Sequence, residues 1–349
     1  MAKTVVGLEI SEEGVRAAEV ALGRSPRVLA FGSVPLPPGA AKDSEVFDSD
    51  AVVLAIRQLW SRAGIKSRDV VLGIGSRRIL VRDYTTLAMR ADLLAQALPY
   101  QVQDLLPVPA EQAVLDFLPV SQEGDQVTGL LVAAVADTVD ELVTAVTKAK
   151  LTVDVVDLAP FALARAVGGL TSAGETVATL FLGDHTTYVV VTQDRIPRFV
   201  RIIPMEIATD AVRARVASLE SDDASMVHFE DVLEPVPAGE MPTRRRSANR
   251  GVVRPVTMSA AEISDVVGRL GSTLRFYADR SVDAPVTRVL VCGSGAAVDG
   301  IADALAASLP MPVQLVGVSA VAETKTPMPA GDLDFNLLTT VGLAMRGAR

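Results

Sequence analysis

The stretch RADLLAQALPYQVQDLLPVPAEQAVLDF, residues 90–117, reads as a helix over 90–106, a turn at Pro107 and Pro109, and a strand from Gln112. Working outward, residues 79–86 form an apolar strand before the helix. Residues 112–120 and 127–136 give two strands after it, then a helix over 138–150 and a strand over 153–158. The order βαββαβ predicts a ferredoxin-like unit over residues 79–156, one small sheet with helices on one face.

Two longer segments flank this unit. Upstream, strands at 5–10 and 15–20 meet at Ser11-Glu12-Glu13-Gly14, a hairpin signal. A third strand at 27–34 ends at Pro35. Asp48, Ser49 and Asp50 offer N-caps to a helix that Gly64 closes, with Val53, Ile56, Leu59 and Trp60 at helical spacing. A buried strand follows at 70–74. Downstream, a short helix at 160–167 leads to a second hairpin, 176–182 and 188–192, around Gly183-Asp184-His185-Thr186-Thr187. A strand at 198–203 and a helix at 207–219 follow. After residue 254 come a helix opened by a Ser259/Glu262 capping box, a strand at 288–292, a Gly293-Ser294-Gly295 turn, a helix at 298–309, a strand at 313–316 and a helix at 335–345.

Residues 219–256 depart from this pattern. Seven acids precede Arg244, Arg245, Arg246, Arg250 and Arg254, and prolines punctuate both halves. Such composition predicts a flexible, solvated surface insertion. His228 within it is expected to face solvent.

Composition excludes several functions. The 349 residues carry a formal charge of −9, with no basic face to neutralise phosphates, so nucleic acid is excluded as a partner. One cysteine rules out a disulfide framework, and two histidines leave little for a Cys/His zinc site. Cys292, in an apolar strand, is expected to be core, as is Trp60. The start of the chain reads as a strand, with no secretory leader. The uncharged run 304–322 is broken by Pro310, Pro312 and Gly317, so it reads as helix, turn and strand and not as a membrane span.

The turns at Ser11, Gly183 and Gly293 each follow an apolar strand. Such turns expose backbone N–H groups that suit anions. The first two repeat as strand, polar turn, strand about half the chain apart, which suggests two related lobes. The third is neither a Walker loop, for which no G-x-x-x-x-G-K-[ST] run exists, nor G-x-G-x-x-G, because Val298 stands where the third glycine belongs.

On these residues the chain resembles the PilM family of type IV pilus assembly proteins, FtsA-related members of the actin-like ATPase superfamily. Residues 90–117 are similar to that family's helix, Pro-x-Pro turn and Val-Leu-Asp-Phe strand. Residues 5–19 and 179–190 resemble the two phosphate motifs, 157–164 the connecting segment, 289–301 the adenosine motif and 340–347 the closing helix. The resemblance implies an α/β fold of two ribonuclease-H-like lobes with the ferredoxin-like unit inserted. The first lobe would comprise 1–78, 157–174 and 332–349, and the second 175–331. It implies ATP and Mg²⁺ in the cleft. Glu9, Ser11, Glu12, Glu13, Gly14 and Arg16 would wrap one side, Gly183, Asp184, His185, Thr186 and Thr187 the other, and Gly293, Ser294 and Gly295 would lie against ribose and adenine.

It also implies a cytoplasmic adaptor held at the inner membrane by the cytoplasmic tail of a PilN-like membrane protein, with other pilus platform proteins or motor ATPases as further partners. Oligomerisation is left open. The sequence departs from the superfamily pattern at three points. Glu9 replaces the usual aspartate that holds hydrated Mg²⁺, Phe181 replaces a second aspartate, and Leu158-Ala159-Pro160 supply no group to orient water. ATP binding with slow or negligible turnover is the expectation. Asp154 and Asp157 are expected to be structural. The alternatives are an FtsA-like filament-forming cell-division protein, against which the want of a C-terminal amphipathic helix counts, and a small-molecule kinase of the same superfold, against which the want of an acidic acceptor motif counts.

Overall fold

A computed structural model describes residues 3–23, 25–226 and 258–347. The chain opens with β1 (Thr4–Ile10), β2 (Gly14–Ala21) and β3 (Arg27–Pro35), an antiparallel meander in which Glu9 lies opposite Arg16. A small hairpin, β4 (Ala41–Lys42) and β5 (Glu45–Val46), leads to α1 (Ser49–Ala63) and β6 (Asp69–Ile74). Asp48 caps α1 by accepting from the Ala51 N–H, and Gly64 ends it at φ 67°, a conformation that glycine adopts without a Cβ clash.

The inserted unit follows as β7 (Leu80–Leu87), α2 (Ala91–Gln101), β8 (Ala113–Glu123) and β9 (Gln126–Val135), three antiparallel strands in the order β7-β9-β8. Here the structure corrects the ferredoxin-like expectation. The next helix, α3 (Ala136–Lys148), and strand, β10 (Thr152–Leu158), do not return to the small sheet. Instead β10 pairs in parallel with β6, Leu158 opposite Ile74, and α3 packs on α1, where Arg57 donates to the Lys148 carbonyl at 2.8 Å. The reason is burial. β6 is apolar on both faces and needs a strand on each side, and α3 carries an apolar stripe (Val139, Leu142, Ala145, Val146) that fills the core under α1. The insertion is therefore βαββ over residues 80–135, placed inside a β6-α3-β10 crossover.

The first lobe's sheet thus runs β10-β6-β1-β2-β3, with a last strand at its edge described below. Alternate residues of β1 serve opposite cores. Val6, Leu8 and Ile10 pack toward α1 and α3, and Val5 packs toward α4 (Ala159–Val167) with the closing helices.

The second lobe repeats this plan. β11 (Thr176–Leu182), β12 (Thr186–Gln193) and β13 (Ile196–Pro204) form a meander, followed by α5 (Asp210–Met226), α6 (Ala260–Arg280), β14 (Arg288–Cys292), α7 (Ile301–Ser308) and β15 (Val313–Leu315). The sheet order β13-β12-β11-β14-β15 matches β3-β2-β1-β6-β10 strand for strand. The capping box of α6 is present in both directions, Ser259 N–H to Glu262 at 2.6 Å and Glu262 N–H to Ser259 at 3.3 Å. α5 runs seven residues beyond the expected end at 219, so residues 219–226 of the expected insertion are helical. The rest of it, with His228 and the five arginines, lies outside the described residues.

β16 (Glu323–Thr324) then pairs with β3, so the chain re-enters the first lobe before residue 332, earlier than the segment pattern predicts. The expected helix at 335–345 is two, α8 (Asp332–Asn336) and α9 (Leu338–Ala344). α9 lies against β1, β2 and α4. A Cβ on Gly342 would sit 2.0 Å from the Ala162 carbonyl oxygen, so glycine is what permits this approach. Cys292 is buried, and the Trp60 indole donates to the Ser67 carbonyl at 2.9 Å.

Candidate functional site

The β1–β2 and β11–β12 turns face one another across the cleft between the lobes. Each is a closed hairpin. The Ser11 N–H donates to the Gly14 carbonyl at 2.9 Å, and the Gly183 N–H donates to the Thr186 carbonyl at 3.2 Å. A Cβ on Gly183 would lie 2.4 Å from the Thr186 oxygen, which explains the glycine.

Side chains bridge the turns. Glu13 accepts from His185 Nε2 at 2.7 Å and from Arg215 Nη1, on α5, at 2.8 Å. His185 Nδ1 meets Glu206 at 2.5 Å. Arg16 faces Asp184 at 3.7 Å, and Asp184 is fixed in turn by the hydroxyls of Thr209 at 2.6 Å and Ser294 at 2.9 Å. Below them, the Tyr188 hydroxyl donates to the Gly75 carbonyl at 2.9 Å, its ring stacked on Phe181 with centroids 5.2 Å apart. Glu9 is buried and accepts from Thr340.

These contacts set the charges. Burial opposes ionisation of Glu13, but hydrogen bonds and charge from His185 and Arg215 outweigh it and hold the carboxyl below its usual range. Burial likewise opposes a charged His185, and the Glu13 and Glu206 carboxylates overcome it, pushing its pKa up to about 9. Burial raises Glu9 against the opposing influence of Arg16 and Thr340. Burial, with Asp184 nearby, raises Asp332.

The sequence-derived residues fall into two groups. Glu9, Ser11, Glu12, Arg16, Gly183, Asp184, His185 and Thr186 line one cavity of about 70 Å³. The others do not line it. Glu13 spans the lobes, Gly14 packs on Val34, and Thr187 is buried against Met205. Gly293, Ser294 and Gly295 form the layer beneath the β11–β12 turn, where a Cβ on Gly293 would meet the Leu182 oxygen at 2.4 Å. Sequence reading missed Tyr188, Gly73, Gly75 and Arg215. The Gly73-Ile74-Gly75 pattern at the end of β6 was the available signal for the glycines. Nothing local marks Arg215, whose partners lie about two hundred residues away.

The actin-like fold implies a nucleotide with Mg²⁺ in this cleft, and the residues present do not fit one. Pockets that hold such ligands measure roughly 300–1,000 Å³. Two turn N–H groups that would serve an anion are engaged within their own turns. Both cations at the cavity, Arg16 and His185, already face carboxylates, and Glu9, Glu12, Asp43 and Asp184 add acids to its lining. Glu9 offers Mg²⁺ a carboxylate already shared with Thr340. Among the described residues no group of three or more His, Cys, Asp or Glu is arranged to hold a metal.

A larger concavity lies on the inserted unit. It measures about 510 Å³ and runs between α2 and the edge strand β8, lined by Leu87, Met89, Leu94, Leu98, Leu115 and Phe117 among others. Its floor is continuous with the unit's own small core of Leu98, Val102 and Leu131. Leu87 in its lining is 57% exposed.

A family model described as type IV pilus assembly protein PilM matches residues 7–201. Among solved structures, a PilM–PilN type IV pilus biogenesis complex aligns over 100% of both chains at 20% identity with a TM-score of 0.78. The ethanolamine utilization protein EutJ from Carboxydothermus hydrogenoformans aligns over 99% of this chain and 90% of its own at 14% identity, with a TM-score of 0.49.

Proposed function

From the premise that this chain belongs to the PilM family of type IV pilus assembly proteins, we infer that it is a non-enzymatic adaptor of the pilus assembly platform. Its apolar groove between α2 and β8 docks the cytoplasmic tail of a PilN-like membrane protein. The groove carries this reading. It is larger and more apolar than the cleft cavity, and β8 is an edge strand to which an extended peptide can add. The solved relative is a complex of PilM with PilN, which supports the choice of partner.

No helix among the described residues is long and apolar enough to cross a membrane. The proposed partner would hold the adaptor at the inner membrane's cytoplasmic face, and other platform proteins would gather on the remaining surface. ATP with Mg²⁺ is the cofactor that the fold implies. The cleft residues disagree with it, and no step is assigned to it.

The test is fluorescence anisotropy of a labelled peptide carrying the partner's cytoplasmic tail. The native chain binds it, and Phe117→Asp, which puts a charge in the groove, weakens binding at least tenfold, about 1.4 kcal/mol or more. Equal affinity of the native and Phe117→Asp chains sinks the groove assignment.

A further inference from the structure

We propose that Glu13 acts as a built-in anion that latches the two lobes, so that this chain holds its closed arrangement without nucleotide. The proposal is independent of the partner reading. It rests on how the cleft's charges are already matched.

The Glu13 side chain is only 6% exposed, although it sits at the tip of a hairpin. It stays buried because it receives two donors from the other lobe, His185 on the β11–β12 turn and Arg215 on α5. A carboxylate held by an imidazolium and a guanidinium presents the same chemistry to those cations as a phosphate oxygen would. Arg215 also reaches the Glu12 carbonyl at 3.4 Å, which fixes the backbone of the same turn. The second link, Arg16 to Asp184, uses the cation that the first lobe could have offered to a phosphate. Asp184 is itself anchored by Thr209 and Ser294, so it is not a side chain free to swing away. The third link, Tyr188 to Gly75, is packed closely enough that a Cβ on Gly75 would lie 2.1 Å from the hydroxyl oxygen.

A polyphosphate that is to take its cations from His185 and Arg215 has to displace Glu13 from both, in the presence of Glu9, Glu12 and Asp184. It also has to open a cavity of about 70 Å³ that Phe181 and Tyr188 wall. The Arg16 Nε is buried without a protein partner, and the cavity beside it has room for water to satisfy it.

The experiment uses the full chain in two arms. In the first, melting is followed with and without millimolar ATP or ADP plus Mg²⁺, and with inorganic phosphate. The expected midpoint shift is below about 1 °C, whereas a ligand at a hundredfold excess over its Kd would raise it by roughly 4 °C in a chain of this length. A rise of several degrees with nucleotide overturns the proposal. In the second, amide exchange is measured in the native chain and in Glu13→Gln, which keeps the shape and removes the charge. Exchange at the two turns, 11–14 and 183–187, is expected to quicken about tenfold in the variant. Unchanged exchange there overturns the latch. If Glu13→Gln fails to fold, the first arm on the native chain still decides.

Discussion

Because the latch depends on a charged imidazole, raising the pH should loosen the lobes, and the size of the effect follows from His185. In the unfolded chain His185 titrates near its ordinary 6.5, and in the fold its pKa stands at about 9. A folded pKa above the unfolded one means that the charged form is stabilised by folding. The contribution is fully present below pH 6.5 and is lost as pH rises through about 9. Its ceiling is roughly 3 kcal/mol, from 1.36 kcal/mol per pH unit. His185 keeps 23% of its side-chain exposure, so solvent screening reduces this to about 1–2 kcal/mol. The groups that face the imidazole are Glu13, Glu206, Glu12 and Arg215. Glu13 works in the opposite pH direction. Its pKa is lowered, so its contribution is present above about 4.5 and fades only as pH falls below that. The plateau therefore lies between about pH 4.5 and 6.5, and decline begins above it.

The comparison is the native chain against His185→Gln, which retains a donor toward Glu13 without the titration. Between pH 6.5 and 9.5 the native midpoint should fall by roughly 1–2.5 °C more than the variant's, from about 1.4 °C per kcal/mol at this length. The titration can also be watched directly, because the chain has only two histidines and the resonance missing from His185→Gln is that of His185. An imidazole titrating near 6.5, or equal pH dependence in the two chains, refutes the reasoning.

Three further substitutions test the packing and the buried charge of the fold. Gly342→Ala, whose Cβ would meet the Ala162 carbonyl at 2.0 Å, should destabilise by about 2 kcal/mol or more. Gly268→Ala, on an exposed face of α6 with nothing within 4 Å, should stabilise by about 0.5–1 kcal/mol, and a thermal-melt comparison of the pair checks both. Asp157 is buried at the end of β10, where Arg165 and Arg346 both donate to it and the Leu158 N–H adds a bond at 3.0 Å. Asp157→Asn removes the charge that these two half-exposed arginines share, and denaturant titration should show a loss of about 2 kcal/mol.

What the sequence disclosed was local, and what it withheld was long-range. The Ser11 and Gly183 hairpins, the Gly64 stop and the Ser259/Glu262 box are decided within a few residues, and each is where the pattern predicts it. The fate of α3 and β10 is not decided locally. The same order of segments fits a closed ferredoxin sheet or a three-stranded insertion within a crossover, and the difference lies in which edge β10 finds. β6, apolar on both faces, provides that edge some eighty residues earlier in the chain. The α5 boundary was missed for another reason. Glu220, Asp222 and Asp223 look like the start of a solvated insertion, yet acidic residues are also compatible with an exposed helix, and the helix continues through them to Met226.

The same division explains the cleft. The sequence reading sets Glu12 and Glu13 around a phosphate, with no sign in the local sequence of what else those acids would meet. Only the fold brings His185 and Arg215 to Glu13. A nucleotide can bias two lobe arrangements only by its difference in affinity for them. Under the proposed latch Glu13 supplies the anion, so that difference would be small and ATP would have little leverage over the proposed groove. The inserted unit nevertheless remains mechanically joined to the second lobe, since β13 lies against it and Arg198 donates to the Val120 carbonyl at 3.4 Å, at one end of the groove. That contact, with the Arg280–Asp83 pair between α6 and β7, gives a docked segment a mechanical path to the second lobe.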